Sequence, residues 1–281
     1  MQEAPFVTTA WLEEHITDRD LRIIEICSLN DDKTYRSGHI PGAHWFYWKA
    51  ACWHETDRDF IAPEAMSKLF GSIGISPQSK VVLYGDPVQF GSYAFWTFTM
   101  AGHNNLRLLD GGRKKWVIER RPLSQDLPHY PAVPYPAPRP GRQCMRIGRE
   151  TVREHLRKSS RLLLDLRSPE EYSGERVSDY SFKFDHGAER SGRIPGAVHL
   201  YFRDLLNEDD SFKSHDQLAL TLAARGIAPD KFDEIICYCR LSHRATVGWL
   251  ALEQILGHKN VKIYDGSWTE WGNVVGYPIE K

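Results

Sequence analysis

The residues best equipped for chemistry lie in one stretch, Ile235-Ile236-Cys237-Tyr238-Cys239-Arg240-Leu241-Ser242-His243-Arg244. An apolar, strand-like run ends there on a cysteine, two arginines follow, and a helical pattern runs from Ala245 to Leu256. A strand that breaks into a tight loop and restarts as a helix turns backbone N–H groups and the positive end of the helix dipole toward whatever the loop holds. An anionic sulfur at Cys239 is favoured by that arrangement. With Arg240 and Arg244 beside it, the thiol is expected to ionise below the free-thiol value of about 8.5 and to serve as a nucleophile at neutral pH. The plainer reading, a buried structural thiol, does not explain the loop position or the two arginines.

Much of the chain occurs twice. Gly38-His39-Ile40-Pro41-Gly42-Ala43 returns as Gly192-Arg193-Ile194-Pro195-Gly196-Ala197, and Tyr47-Trp48 returns as Tyr201-Phe202, each shifted by 154 residues. Gly102-His103, Asp110-Gly111 and Trp116 return as Gly257-His258, Asp265-Gly266 and Trp271, shifted by 155. A period of this length is a whole domain, not a solenoid unit. The Cys239 loop corresponds in the first half to Tyr84-Gly85-Asp86-Pro87, which has neither cysteine nor arginine. One half is therefore expected to be equipped and the other degenerate.

The elements that must position the loop can be read from short apolar runs alternating with helical patterns. These are Leu21–Cys27, Val81–Tyr84 and Leu106–Leu109 in the first half, and Leu162–Leu166, Ile235–Tyr238 and Val261–Tyr264 in the second. Such alternation predicts α/β domains, each a mostly parallel sheet flanked by helices, with chemistry at the carboxyl ends of the strands. Proline density between Arg121 and Gly141 predicts a semi-rigid connector. The expected division is a domain over 1–122, a linker over 123–142 and a domain over 143–281.

Composition narrows the classes. The chain has 281 residues, 41% of them hydrophobic, and a net charge of −1, enough to bury two cores and too balanced for general attraction to nucleic acid or membrane. The opening Met1-Gln2-Glu3-Ala4-Pro5-Phe6 lacks the pattern of a signal peptide, and no run is apolar enough to span a membrane, so a cytoplasmic location is expected. Five scattered cysteines suit reduced thiols rather than a disulfide framework. Cys237 and Cys27 read as small buried hydrophobes, and Cys52 and Cys144 have no context that sets them apart. No metal or cofactor is called for, since Cys-x-Cys without a second pair is a poor zinc motif.

The repeated Gly-x-Ile-Pro-Gly-Ala, the segment Asp165-x-Arg167-x-x-x-Glu171-Tyr172-x-Gly174, the Cys239–Arg244 loop and Tyr264-Asp265-Gly266-Ser267-Trp268-x-x-Trp271 together resemble the tandem-domain rhodanese sulfurtransferases. The resemblance covers almost the whole chain. It implies two rhodanese-like domains, the first inactive and the second catalytic, working by ping-pong transfer of sulfane sulfur through a persulfide on Cys239. Arg240, Arg244 and Arg167 are the expected cations for an anionic donor, because a guanidinium fork suits sulfonate-type oxygens. Leu241, Ser242 and His243 complete the expected donor-binding loop. In the first half Cys27 stands where Arg167 would be.

Plainer roles compete for several of these. Arg240 and Arg244 would be solvated on an open loop, Arg167 would pair with a carboxylate such as Glu171 and hold the fold, and His243 would be an exposed histidine. His103 and His258 recur in both halves, which favours a structural role. The resemblance suggests Trp48, Tyr93 and Phe202 as walls of a cleft, although aromatics in so aromatic a chain are mostly core, as Trp268 and Trp271 are expected to be.

Rival activities separate on the loop. Cysteine phosphatases need one more residue between cysteine and arginine than the four that separate Cys239 from Arg244, so phosphate should not fit. A sulfur carrier or anion sensor without turnover is a third class, against which the complete loop argues. Within the resemblance, basic residues after the cysteine favour thiosulfate over 3-mercaptopyruvate. Expected partners are that small anionic donor and a thiol or thioredoxin-like acceptor. The 174–190 insertion reads equally as a lid or a surface loop.

Overall fold

A computed structural model describes residues 5–156, 159–177 and 187–281. They divide into two compact units, Met1–Gln143 with Glu208–Ser211, and Cys144–Asn207 with Phe212–Lys281. The first contains strands β1 (Phe6–Val7), β2 (Leu21–Cys27), β3 (Ala43–Tyr47), β4 (Lys80–Asp86) and β5 (Leu106–Leu109), in the sheet order β1-β5-β4-β2-β3. The second contains β6 (Arg146–Ile147), β7 (Arg161–Asp165), β8 (Val198–His199), β9 (Glu234–Tyr238) and β10 (Val261–Tyr264), in the order β6-β10-β9-β7-β8. The two orders are the same once each strand is matched to its counterpart, so the sequence repeat is also a repeat of topology. Every strand pairing in both sheets is parallel. This is the tandem α/β architecture expected from the alternating runs.

Parallel strands carry helices on both faces and so read as continuous apolar stretches. β9, Glu234-Ile235-Ile236-Cys237-Tyr238, is buried at every position, and β2 is buried at all but one. The runs read from sequence coincide with six of the strands to within a residue or two. β1, β6 and β8 are two residues long, too short to leave a period in the sequence. The helical pattern after Cys239 begins two residues early, as an α-helix over His243–Trp249, and continues as a π-helix over Leu250–Ile255.

The proline-rich stretch lies within the first unit and is bonded along it. His39 and Ser124 exchange two backbone hydrogen bonds of 2.9 Å, Val133 N–H donates to Gly71 O (2.9 Å), and Gly141 N–H donates to Met100 O (2.7 Å). Glycine is required where the strap passes: a Cβ on Gly71 would stand 2.7 Å from Val133 O and one on Gly74 2.6 Å from Tyr130 Cβ. Buried His103 bonds Tyr135 Oη of the same strap through Nδ1 at 2.6 Å, a structural use of that repeated histidine. Among the described residues no helix is long and apolar enough to cross a membrane. Of the 174–190 insertion, residues 178–186 lie outside the described residues.

Candidate active site

β9 runs between β10 and β7 in the interior of its sheet, so its carboxyl end is the position where parallel α/β sheets place ligands. Cys239 is the first residue beyond that end. Ser242, in the left-handed conformation at φ +64°, closes the loop and delivers the chain to the helix His243–Trp249. The turn after β10 braces the loop from behind. Cys239 N–H donates to Ser267 Oγ at 3.2 Å, and Trp268 N–H and Thr269 N–H donate to Cys239 O and Arg240 O at 2.9 and 3.1 Å. Ser242 Oγ donates to Asp265 Oδ1 at 2.8 Å. His243 N–H donates to Leu241 O at 3.0 Å, and the amides of Arg244 and Ala245, at the start of the helix, have no acceptor within it. Cys239 itself is 1% exposed.

Two buried ion pairs stand beside the loop. Glu171 lies on the helix Pro169–Ser173, fixed by a capping box in which Ser168 N–H donates to Glu171 Oε2 at 3.0 Å. Its carboxylate receives Arg244 in bidentate fashion, Nη1 and Nη2 lying 2.6 and 2.9 Å from the two oxygens. Burial alone would raise the Glu171 pKa, but Arg244, aided by Arg167, holds it down at about 2. Burial likewise works against charge on Arg244, and the Glu171 carboxylate more than offsets it; the Cys239 side chain also acts on Arg244 in the same favourable sense. Arg167, fully buried, donates Nε to Asp165 Oδ1 at 2.9 Å and Nη2 to Asp165 Oδ2 and Gly192 O at 2.6 and 2.7 Å. Its guanidinium carbon lies 4.6 Å from the centroid of the Trp268 ring. Tyr238 Oη completes the cluster with a 2.6 Å bond to Asp165 Oδ2.

The loop residues named from sequence are brought together, but their roles divide. Arg167 and Arg244 were expected to offer forks to a donor anion, and in the structure a carboxylate occupies each fork. The reason is desolvation: a guanidinium this deep needs a counter-charge in contact, or it costs several kcal/mol. Arg167 keeps its Nη1 without a hydrogen-bond partner. Arg240, 9% exposed, immediately follows Cys239. Leu241 O accepts from His243 N–H at 3.0 Å, and the Ser242 hydroxyl is spent on Asp265 and Leu241 O, so these two shape the loop. His243 is not the exposed histidine expected, being 9% exposed at the head of its helix.

Cys27, Cys52 and Cys237 are buried and Cys144 is exposed. Burial pushes the Cys27 and Cys237 thiols well up, and Cys52 to about 12, which keeps all three protonated and inert. Trp48, Tyr93 and Phe202 are core residues, 5%, 0% and 5% exposed. Trp271 spends its indole N–H on Pro278 O at 2.8 Å.

The corresponding loop of the first unit is filled by its own backbone. Gly85 occupies the position of Cys239, and a Cβ there would lie 2.2 Å from Gly91 N and 2.6 Å from Pro87 O. Glu25 takes the place of Asp165, accepting from Tyr84 Oη as Asp165 does from Tyr238. No carboxylate matches Glu171. Tyr35 and Tyr172 make the same bond, to Ala43 O and Ala197 O, and Thr34 precedes the one where Glu171 precedes the other.

The model of the rhodanese-like domain matches residues 8–119 and again 149–273. The chain belongs to the rhodanese family. A rhodanese relative from Thermus thermophilus, "Sulfur carrier protein TtuD", is 42% identical over 281 residues, covering 98% of this chain and 96% of its own. A "Putative thiosulfate sulfurtransferase" of Haloferax volcanii is 39% identical over 281 residues with the same coverage. Among solved structures, the anaerobic ergothioneine biosynthesis enzyme of Chlorobium limicola, bound to trimethyl histidine, superposes with a TM-score of 0.83 at 26% identity, over 100% of this chain and 71% of that one. A further solved structure, EanB/Y353A with ergothioneine covalently linked to a cysteine persulfide, gives 0.81 at 26% identity, over 99% of this chain and 70% of that one. The rhodanese domains and these relatives make the protein a member of a sulfur-transfer family.

Sequence reading passed over Asp265 as a brace, Ser267 as the acceptor of Cys239 N–H, and Glu171 as the partner of Arg244. A signal was available for two of them: comparing the halves, Glu171 and Ser267 are present only where the cysteine is, with Thr34 and Gly112 opposite them.

Proposed function

We propose that this protein is a thiosulfate sulfurtransferase working by a ping-pong cycle on Cys239, with the second domain catalytic and the first inert. The observation that carries the reading is the placement of Cys239 at the carboxyl end of β9, in a braced loop between strand and helix and next to Arg240. The Cys239 thiolate attacks the outer sulfur of thiosulfate; the S–S bond of the donor breaks, sulfite leaves with the electron pair, and Cys239 carries a persulfide. A thiophilic acceptor such as cyanide or a thiol then takes the terminal sulfur and returns the thiolate. Loop amides at the helix start stabilise charge on the attacking and transferred sulfur, and Arg240 binds the donor's sulfonate oxygens. Arg244 and Arg167 set the local field while their carboxylates hold them in place. A reducing compartment such as the cytoplasm suits the free thiol.

Cyanide-dependent thiocyanate formation, measured with thiosulfate and with 3-mercaptopyruvate for the native protein and Cys239→Ala, tests this. Turnover that vanishes in the variant supports the reading, and faster turnover with mercaptopyruvate would move the donor assignment. The enclosure of Cys239 favours sulfur carriage as the second reading, since a shielded persulfide is protected from stray thiols. A Cys239 persulfide detected by intact mass that discharges to neither thiols nor cyanide would support that reading over turnover.

A further inference from the structure

Two serines touching the loop hold a backbone conformation that L-residues avoid: Ser242 at φ +64° and Ser267 at φ +51°. A Cβ in the left-handed region crowds the adjacent carbonyl, and serine there is disfavoured relative to glycine. The repeat supplies the comparison for Ser267. Asp110-Gly111-Gly112 in the first unit aligns with Asp265-Gly266-Ser267 in the second, and Gly112 has φ +52°. The two turns share this angle at the matched position, held by glycine in one and by a strained serine in the other, and differ one residue earlier, where Gly111 has φ +83° and Gly266 φ −56°.

Space does not explain the difference. A Cβ on Gly112 would meet nothing closer than Gly85 O at 3.4 Å, an ordinary contact, so the first unit has room for a Cβ at this position as well. What serine adds is a hydroxyl, fully buried, that accepts Cys239 N–H at 3.2 Å and donates to Tyr264 O at 2.9 Å. Strain retained at a site and absent from its inert copy points to use.

We propose that Ser267 is a positioning residue for Cys239, retained in an unfavourable conformation because its hydroxyl fixes the Tyr238–Cys239 peptide and so aims the thiolate into the loop. This rests on Cys239 being the nucleophile of the proposed function. Without the hydroxyl, the buried Cys239 N–H loses its acceptor and the peptide is free to rotate toward another.

Ser267→Gly and Ser267→Ala separate the hydroxyl from the strain, because both remove the former and only glycine relieves the latter. The readouts are the rate of Cys239 alkylation by iodoacetamide, followed by peptide mass, steady-state kinetics with thiosulfate and cyanide, and melting temperature. In both variants alkylation and kcat are expected to fall about tenfold or more, a loss typical of a misaimed group, with KM for thiosulfate changed by less than about twofold. Melting temperatures should diverge, with glycine the more stable. Parental alkylation and kcat in folded Ser267→Gly, or losses that follow melting temperature across the pair, would overturn the proposal. If the parent transfers no sulfur from thiosulfate, the proposed function fails while the alkylation rates still decide the role of Ser267.

Discussion

Arg244 grips Glu171 through both terminal nitrogens, at 2.6 and 2.9 Å, across 73 residues of chain. The contact ties the helix that follows the cysteine loop to the helix that follows β7. It also occupies the fork that a fifth loop residue would be expected to turn toward an anion.

Glu171→Gln leaves a buried guanidinium without its counter-charge and should destabilise the protein by about 3 kcal/mol at pH 7. The folded-state pKa of Glu171, about 2, is depressed from the ordinary 4.5, so its stabilising contribution is complete above about pH 4.5 and is lost as pH falls toward 2. Thermal melts of parent and variant should therefore be furthest apart at neutral pH and converge below pH 4.5. A gap that stays constant to pH 3 would contradict the assignment.

Arg240 immediately follows Cys239 in the loop and is 9% exposed. Arg240→Gly should raise KM for thiosulfate about tenfold, the value of one charge-assisted hydrogen bond, and leave 3-mercaptopyruvate turnover unchanged. Equal losses with both donors would remove Arg240 from donor recognition.

Restoring a cysteine to the first unit should fail. In Gly85→Cys the new Cβ would press on Gly91 N at 2.2 Å, a backbone collision that should cost about 3 kcal/mol. Combined with Cys239→Ala it is expected to give a lower melting temperature and no sulfur transfer. Recovered turnover would mean that the loop opens more readily than its packing indicates.

Tyr238→Phe removes a 2.6 Å bond to Asp165 and the acceptor of Ile194 N–H at 3.2 Å. Because Arg167 still satisfies Asp165, a loss of about 2 kcal/mol in stability is expected, with donor KM unaltered. Urea titration and initial rates on the same preparation would check both halves of that statement.

The parts of this molecule legible in its sequence are those whose signal is local or repeated. β2, β5 and β10 could be bounded from apolar runs alone, and the lack of a loop cysteine in the first half is plain from Gly85 standing opposite Cys239. Partnerships were hidden wherever they depend on how the strands are registered. That Arg167 turns back two residues to Asp165 while Arg244 reaches Glu171 depends on how β7 and β9 are registered, with Asp165 opposite Tyr238. The burial of His243 was hidden for a similar reason: a residue that reads as loop becomes the first turn of a helix packed onto a sheet. Two-residue strands left no pattern to read.

The proline strap along the first unit bears on how the gene can be dissected. Ending a fragment at residue 122 would strip away Ser124, Val133 and Tyr135, baring the Gly71 carbonyl, the edge of Phe70 and the ring of His103 that they cover. A fragment carried through Gln143 keeps its own wrapping, so the seam for expressing the halves separately lies at the far end of the proline run.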